Sequence, residues 1–153
     1  DADEVQWSGK TYRTVIMVKA LAGPVPCTGD VEHRCALVRA LWAHVQARDW
    51  AAMRAAFADD VRTLWPVTGE RFVGADVIVR INAEYPEGWR IEVKAIDALA
   101  YGRVHSLVEV PHGEQRFFAH SRFTFAGTQI AQLCEHWAVA EAPPAWRKDF
   151  AHG

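Results

Sequence analysis

A carboxylate set among aromatic residues marks where this chain could do chemistry: Glu135, in the segment Gln129 to Val139. Side chains alternate along a strand with a period of two, so Leu133, Glu135 and Trp137 would share one face and Cys134 and His136 the other. A carboxyl buried among apolar neighbours has its pKa raised and is poised to give or take a proton. The same residue could instead be a glutamate satisfied by a nearby arginine, histidine or indole N–H. His105, in the β-prone run Arg103 to Val110, is its candidate catalytic partner, with a packed or interface histidine as the alternative. Asn82, one turn before Tyr85, carries an amide that could orient a ligand carbonyl or hydroxyl, or cap the end of a helix. Trp42, Phe57, Trp65 and Trp137 would wall a flat apolar slot with indole donors, or simply fill a core.

Other chemistries find little support. Ser121 alternates with Ala119 and Phe123 but has no neighbouring His-Asp arrangement, so it is not read as a nucleophile. His105, His112, His120 and His136 lack helical H-x-x-x-H spacing or a Cys pair, and no metal is expected. No glycine-rich phosphate loop occurs, so no cofactor is implied. Cys27, Cys35 and Cys134 are an odd, widely spaced set, which reads as reduced thiols in a cytoplasmic protein.

With 17 Lys+Arg against 19 Asp+Glu the formal net charge is −2, and the sequence pI is about 6.4. That balance, without a long basic run, argues against a nucleic-acid partner. A chain of 153 residues, 50% hydrophobic, can build one core without metal or disulfide staples. No stretch approaches the roughly 20 apolar residues of a membrane span. Thr14 to Leu21 is broken by Lys19 and preceded by Asp1, Asp3 and Glu4, acidic where a leader is basic.

The elements that must position these groups follow from periodicity. Residues 1–26 stand apart as an extension or edge strand, with Tyr12, Val15, Ile16 and Val18 β-prone and Gly23, Pro24 and Pro26 ending the run; residues 27–153 form a single domain. Leu37, Val38, Leu41, Trp42 and Val45 recur at helical spacing, with Thr28 or Asp30 as the cap. Trp50 to Phe57 resumes as a second helix, with Met53, Ala56 and Phe57 inward. Asp59-Asp60 reads as a turn into a strand, Val61 to Trp65. Pro66 to Glu70 is a second turn, with Arg71 to Val73 returning as a hairpin. Ala75 to Ala83 is ambiguous, because Val77, Ile78, Val79 and Ile81 favour a strand while its flanks suit a helix. Arg90 to Ala98, Arg103 to Val110, Gln115 to Ala126 and Gln129 to Val139 form an antiparallel meander. The tail from Glu141 lies on the surface, with Trp146 free to pack on the sheet.

This order resembles the nuclear transport factor 2-like superfamily over about residues 30 to 140. The resemblance is carried by Ala40-Arg48-Asp49, Phe57-Ala58-Asp59-Asp60-Val61, Pro66…Gly69-Glu70…Phe72-Val73-Gly74, Phe123-Thr124-Phe125 with Gly127, and Ile130…Glu135-His136-Trp137. Asn82…Tyr85-Pro86…Trp89 and the tail Pro143-Pro144-Ala145-Trp146-Arg147 look like a SnoaL-like bacterial branch. The resemblance implies an α+β fold: a cone-shaped barrel in which a curved antiparallel sheet wraps around three helices and encloses a pocket, often dimeric through the outer face of the sheet. It makes Ala75 to Ala83 the third helix and turns Asn82 and Ser121 toward the cavity, with Tyr85 beside them. It also implies a small apolar or aromatic ligand and, where the protein is an enzyme, isomerisation, dehydration, cyclisation or hydrolysis. A ligand-binding or structural dimer without turnover is the alternative. The residues of a ketosteroid isomerase are missing, since Leu41, Trp65 and Ser121 stand where its tyrosine, base and second acid belong. Similarity to limonene epoxide hydrolases puts Glu135 at one catalytic carboxylate and Arg103 and His105 near its arginine and second aspartate.

Overall fold

The computed structural model describes residues 4–7, 10–13 and 28–150. Glu4–Trp7 (β1) and Lys10–Arg13 (β2) pair antiparallel with each other. Val15, Ile16 and Val18 of the N-terminal β-prone run lie outside the described residues.

The first helix, α1, spans Thr28–Ala47, which places Asp30 inside its first turn rather than at its cap. It buries Val38, Leu41, Trp42 and Val45, the face read from their spacing. Its end is a Schellman motif: Arg48 N–H bonds Val45 O at 3.1 Å and Asp49 N–H bonds His44 O at 2.9 Å. Arg48 takes the left-handed conformation there, with φ 59°. Asp49 then caps α2 (Trp50–Ala55), its side chain accepting from Ala52 N–H. The second helix stops short of Phe57, which opens strand β3 (Phe57–Trp65) instead.

Asp59-Asp60 is no turn. The chain stays extended through it, and the signal marks a register shift between Phe57 and Arg62 against β8 (Gln129–Val139). Strand β4 (Glu70–Val73) returns antiparallel on β3, as expected of the Pro66 to Glu70 turn. The β-branched stretch forms α3 (Ala75–Glu84), with Ala75 and Ile78 buried. Spacing explains it, because an amphipathic face that can reach a core outweighs local strand preference.

The meander runs β5 (Glu92–Ala98), β6 (Val104–His112), β7 (Gln115–Ala126) and β8, each antiparallel to the next. Together with β3 and β4 they form one curved, unclosed sheet in the order β4-β3-β8-β7-β6-β5. The β3–β8 pairing is parallel, so the sheet is mixed rather than wholly antiparallel. The core lies between its inner face and α1 and α3, around Phe57, Ile78, Val104, Val108, Phe123 and Ile130. Trp146, in a short turn of 3-10 helix at Ala145–Phe150, is 74% exposed and does not pack on the sheet. Among the described residues no helix is long and apolar enough to cross a membrane.

Candidate functional site

The inner face of β8 carries Leu133, Glu135 and Trp137, while Cys134 and His136 turn outward, as alternation requires. Glu135 is only 5% exposed, at the wall of a cavity of about 420 Å³. Apolar side chains from α1, α3 and the sheet, including Val45, Ile81, Val110 and Phe117, make up most of the surround. Trp42, Trp65, Trp89 and Trp137 contribute four indoles. Among the described residues no Lys, Arg or His side chain lines it.

Two hydrogen bonds hold the buried carboxylate. Ser121 Oγ donates to Glu135 Oε2 at 2.7 Å and Trp137 Nε1 donates to Oε1 at 2.7 Å. Ser121 reaches it because β7 and β8 pair Ser121 directly with Glu135. Burial pushes the Glu135 carboxyl above its ordinary range, and Ser121, Trp137 and Trp65 pull only partly the other way. Trp65 is thus near enough to favour the ionised form, yet its Nε1 falls short of hydrogen-bond geometry and is buried without a partner. Trp89 Nε1 is likewise buried and has no partner among the described residues. Trp42 Nε1, in contrast, donates to Ser106 Oγ at 3.0 Å.

The network suits both protonation states of the acid. An indole N–H can only donate, so Trp137 keeps Oε1 as an acceptor, whereas a serine hydroxyl can donate to a carboxylate or accept from a carboxyl. The proton therefore belongs on Oε2, where Ser121 can reverse its role without breaking the pair.

Over the cavity runs the segment Tyr85 to Ile91, which links α3 to the meander and contributes Tyr85, Trp89 and Ile91 to the lining. Tyr85 OH meets His112 Nδ1 at 3.2 Å, and His112 Nε2 meets Glu87 O at 3.1 Å. Arg48 bonds the Glu87 carboxylate at 2.8 Å and Trp89 O at 2.9 Å, and its guanidinium stacks 3.3 Å from the Trp89 ring centroid. These contacts explain why an arginine occupies a left-handed position that a glycine would take at lower cost.

Of the residues singled out in the sequence, the cavity wall gathers Glu135, Trp42, Trp65, Trp137, Asn82 and Tyr85. The Asn82 amide donates to Ile78 O within its own helix at 2.9 Å, leaving Oδ1 without a partner among the described residues. Ser121 is fully buried behind Glu135, to which its hydroxyl donates. Phe57 is core, 1% exposed, and does not line the cavity. His105 is on the opposite face of the sheet. Val104, Ser106, Val108 and Val110 point inward along β6, so His105 points out, stacked on His120 and 3.4 Å from Asp97. The sheet separates it from Glu135, and Arg103 lies before the strand. Trp89 was not singled out in the sequence as a site residue, although seven tryptophans exceed what a core of this size needs.

Residues 35–129 match the family described as the SnoaL-like domain, more than half of the chain. The chain belongs to the SnoaL-like domain family. A candidate ketosteroid isomerase from Kribbella flavida is similar at 28% identity and a TM-score of 0.72, over 81% of this chain and 91% of that one. An NTF-2 like protein of unknown function from Burkholderia xenovorans has 18% identity and a TM-score of 0.68, over 80% of this chain and 95% of that one. An LEH-like epoxide hydrolase from M. tuberculosis has 17% identity and a TM-score of 0.59, over 70% and 79%. The last two likenesses concern the fold. No curated protein matches the chain. Among the described residues of this SnoaL-like chain, no three His, Cys, Asp or Glu side chains gather as a metal set.

Proposed function

We propose that this SnoaL-like protein is a cofactor-independent enzyme that moves a proton on a small, neutral, largely apolar molecule, with Glu135 as its general acid or base. The observation that carries the reading is one buried carboxyl, held by Ser121 and Trp137 and raised in pKa, at the wall of an apolar cavity. A raised pKa keeps a proton available nearer neutrality, and the ionised form is a stronger base than an ordinary carboxylate. Ser121 is a positioning residue. A wall to which the described residues bring no cationic side chain disfavours an anionic ligand, and the Trp65 and Trp89 N–H groups, unpartnered among those residues, favour one with acceptor oxygens. Asn82 Oδ1 supplies an acceptor for a ligand hydroxyl. The name of the Kribbella flavida relative agrees with proton-transfer chemistry of the isomerase kind.

The test is a panel of neutral cyclic ketones, enones and epoxides, screened for binding by ligand-observed NMR, with hits followed for product by chromatography. Wild type is expected to convert at least one hit. Glu135→Gln is expected to bind it within a few fold and lose about a hundredfold or more in turnover. Binding without conversion by wild type, or equal loss of binding and turnover in the variant, would replace the enzyme with a ligand-binding protein.

A further inference from the structure

The cavity holds a second carboxylate. Between β3 and β4 the chain reverses over Trp65 to Glu70, where Gly69 takes φ 77° and its N–H bonds Trp65 O at 2.9 Å, so that Glu70 starts β4 directly opposite Trp65. Residues paired across two strands share a face, and Glu70 lines the cavity from the same inner side as Trp65. On the other flank of Trp65, the parallel register pairs Thr63 with Leu133 and Leu64 with Cys134, and one step further sets Trp65 beside Glu135. Glu70, Trp65 and Glu135 thus stand in one row. With strands about 4.8 Å apart, the two carboxyl-bearing residues start about 9.6 Å from each other.

The two ends of this row differ in what water can reach. Glu135 is buried, whereas Glu70 is exposed together with Val67, Thr68 and Tyr85, and these four mark the mouth of the cavity. The hydroxyls at the mouth have already committed their protons. Thr68 Oγ1 donates to Glu70 Oε2. Glu87 O can only accept, so His112 donates to it from Nε2, and the neutral ring then takes the Tyr85 proton at Nδ1. What the mouth has left to offer is acceptors: Glu70 Oε1, which has no partner among the described residues, and the lone pairs of Tyr85 and Thr68. At the inner end the polarity reverses, since the Trp65 N–H can only donate and a protonated Glu135 has a proton to give.

We infer that Glu70 is the specificity residue of this cavity and selects ligands that carry a hydroxyl group at the end opposite the oxygen that meets Glu135. Which end of the ligand lies inside rests on the reading of Glu135 as the reacting group. A hydroxyl seated at the mouth donates to a carboxylate, a stronger hydrogen bond than one between neutral groups. A methyl ether of similar shape forfeits that bond and takes water from the carboxylate without replacing it. The chemical class described is a hydroxylated cyclic ketone, apolar between two oxygens at its opposite ends, with its rings against the indoles of Trp42, Trp65, Trp89 and Trp137.

The probes are a cyclohexanone bearing a para-hydroxyphenyl group on the carbon opposite its carbonyl, the methyl ether of that compound, and the parent phenyl ketone. In ligand-observed NMR titrations of the full chain, the phenol is expected to bind about tenfold more tightly than the ether or the parent. Glu70→Ala is expected to erase that preference while holding the parent's affinity within about twofold, a change of selectivity that general damage to the fold would not produce. Glu135→Gln is expected to keep the preference and to slow exchange of the ketone's α-hydrogens in heavy water. The two readings therefore fail separately: exchange undiminished in Glu135→Gln strikes the acid-base role of Glu135, while the phenol preference and its loss in Glu70→Ala still support Glu70. The inference is overturned if wild type binds the three compounds alike, or if the preference survives in Glu70→Ala. It is also overturned if Asn82→Ala erases the preference in place of Glu70→Ala, which would move the hydroxyl to Asn82. Tighter binding of the corresponding aminomethyl analogue than of the phenol, lost in Glu70→Ala, would overturn it too, because the mouth would then select a cation.

Discussion

Replacing Glu135 by glutamine should change how stability depends on pH, and the sign and slope follow from the site. Glutamine keeps the shape, can accept from Trp137 N–H and can donate to Ser121 Oγ, so the network survives. What it removes is an ionisation that the folded state resists. The folded-state pKa of Glu135 lies above the unfolded one, so between the two values the native protein holds a proton that the unfolded chain has released. Stability from this group is then fully present below the unfolded value, near 4.3, and is lost as pH rises toward the folded value. One proton corresponds to a slope of at most about 1.4 kcal/mol per pH unit. For a chain of this length that is roughly 3–5 °C in Tm per unit. Thermal melts of wild type and Glu135→Gln from pH 4 to 9 should therefore diverge with rising pH in favour of the variant, and the difference should level off at the pKa of Glu135 in the folded protein. A difference that stays constant across that range would mean that Glu135 titrates like an exposed carboxyl, and the argument for a poised acid would fail.

Three further outcomes are expected. Ser121→Ala removes a donor that favours the carboxylate, so the plateau in the same melts should move to higher pH. Arg48→Gly relieves a left-handed arginine by about 1 kcal/mol but frees Glu87 and Trp89, so Tm should shift by only a few degrees while amide exchange across residues 85–91 accelerates. Asp49→Ala removes the cap of α2 and should cost about 1 kcal/mol in denaturant unfolding without altering ligand binding.

Much of the architecture was legible because it rests on periodicity. The spacing of Leu37 to Val45 located α1 and its buried face, and alternation along Gln129 to Val139 put Glu135 and Trp137 on one side of the sheet. Val77 to Ile81 needed the family resemblance, since β-branched residues leave a local reading undecided until the tertiary surface they cover is known. His105 shows the converse weakness. A strand residue's face depends on where the strand begins, and starting β6 at Val104 sends His105 outward. The Asp59-Asp60 pair read as a turn because its composition is that of one, whereas a register shift uses the same residues without reversing the chain. Trp42 bonding Ser106 and Trp89 closing over the cavity join segments that no local spacing links.

The parallel pairing of β3 with β8 bears on how the chain is made. β3 is synthesised long before its neighbour, and Phe57 waits for Ile130 to emerge before that side of its ladder can close. Loop-closure entropy over such a separation slows the step, and until then β3 presents an open hydrogen-bonding edge. A chain ending before Gln129 would keep α1, α2 and the β3–β4 pair, yet lack the strand that joins them to the meander. Such a fragment, or a ribosome stalled at that point, should expose a sticky edge and aggregate, which makes the last strand the step that commits the nascent protein to its fold.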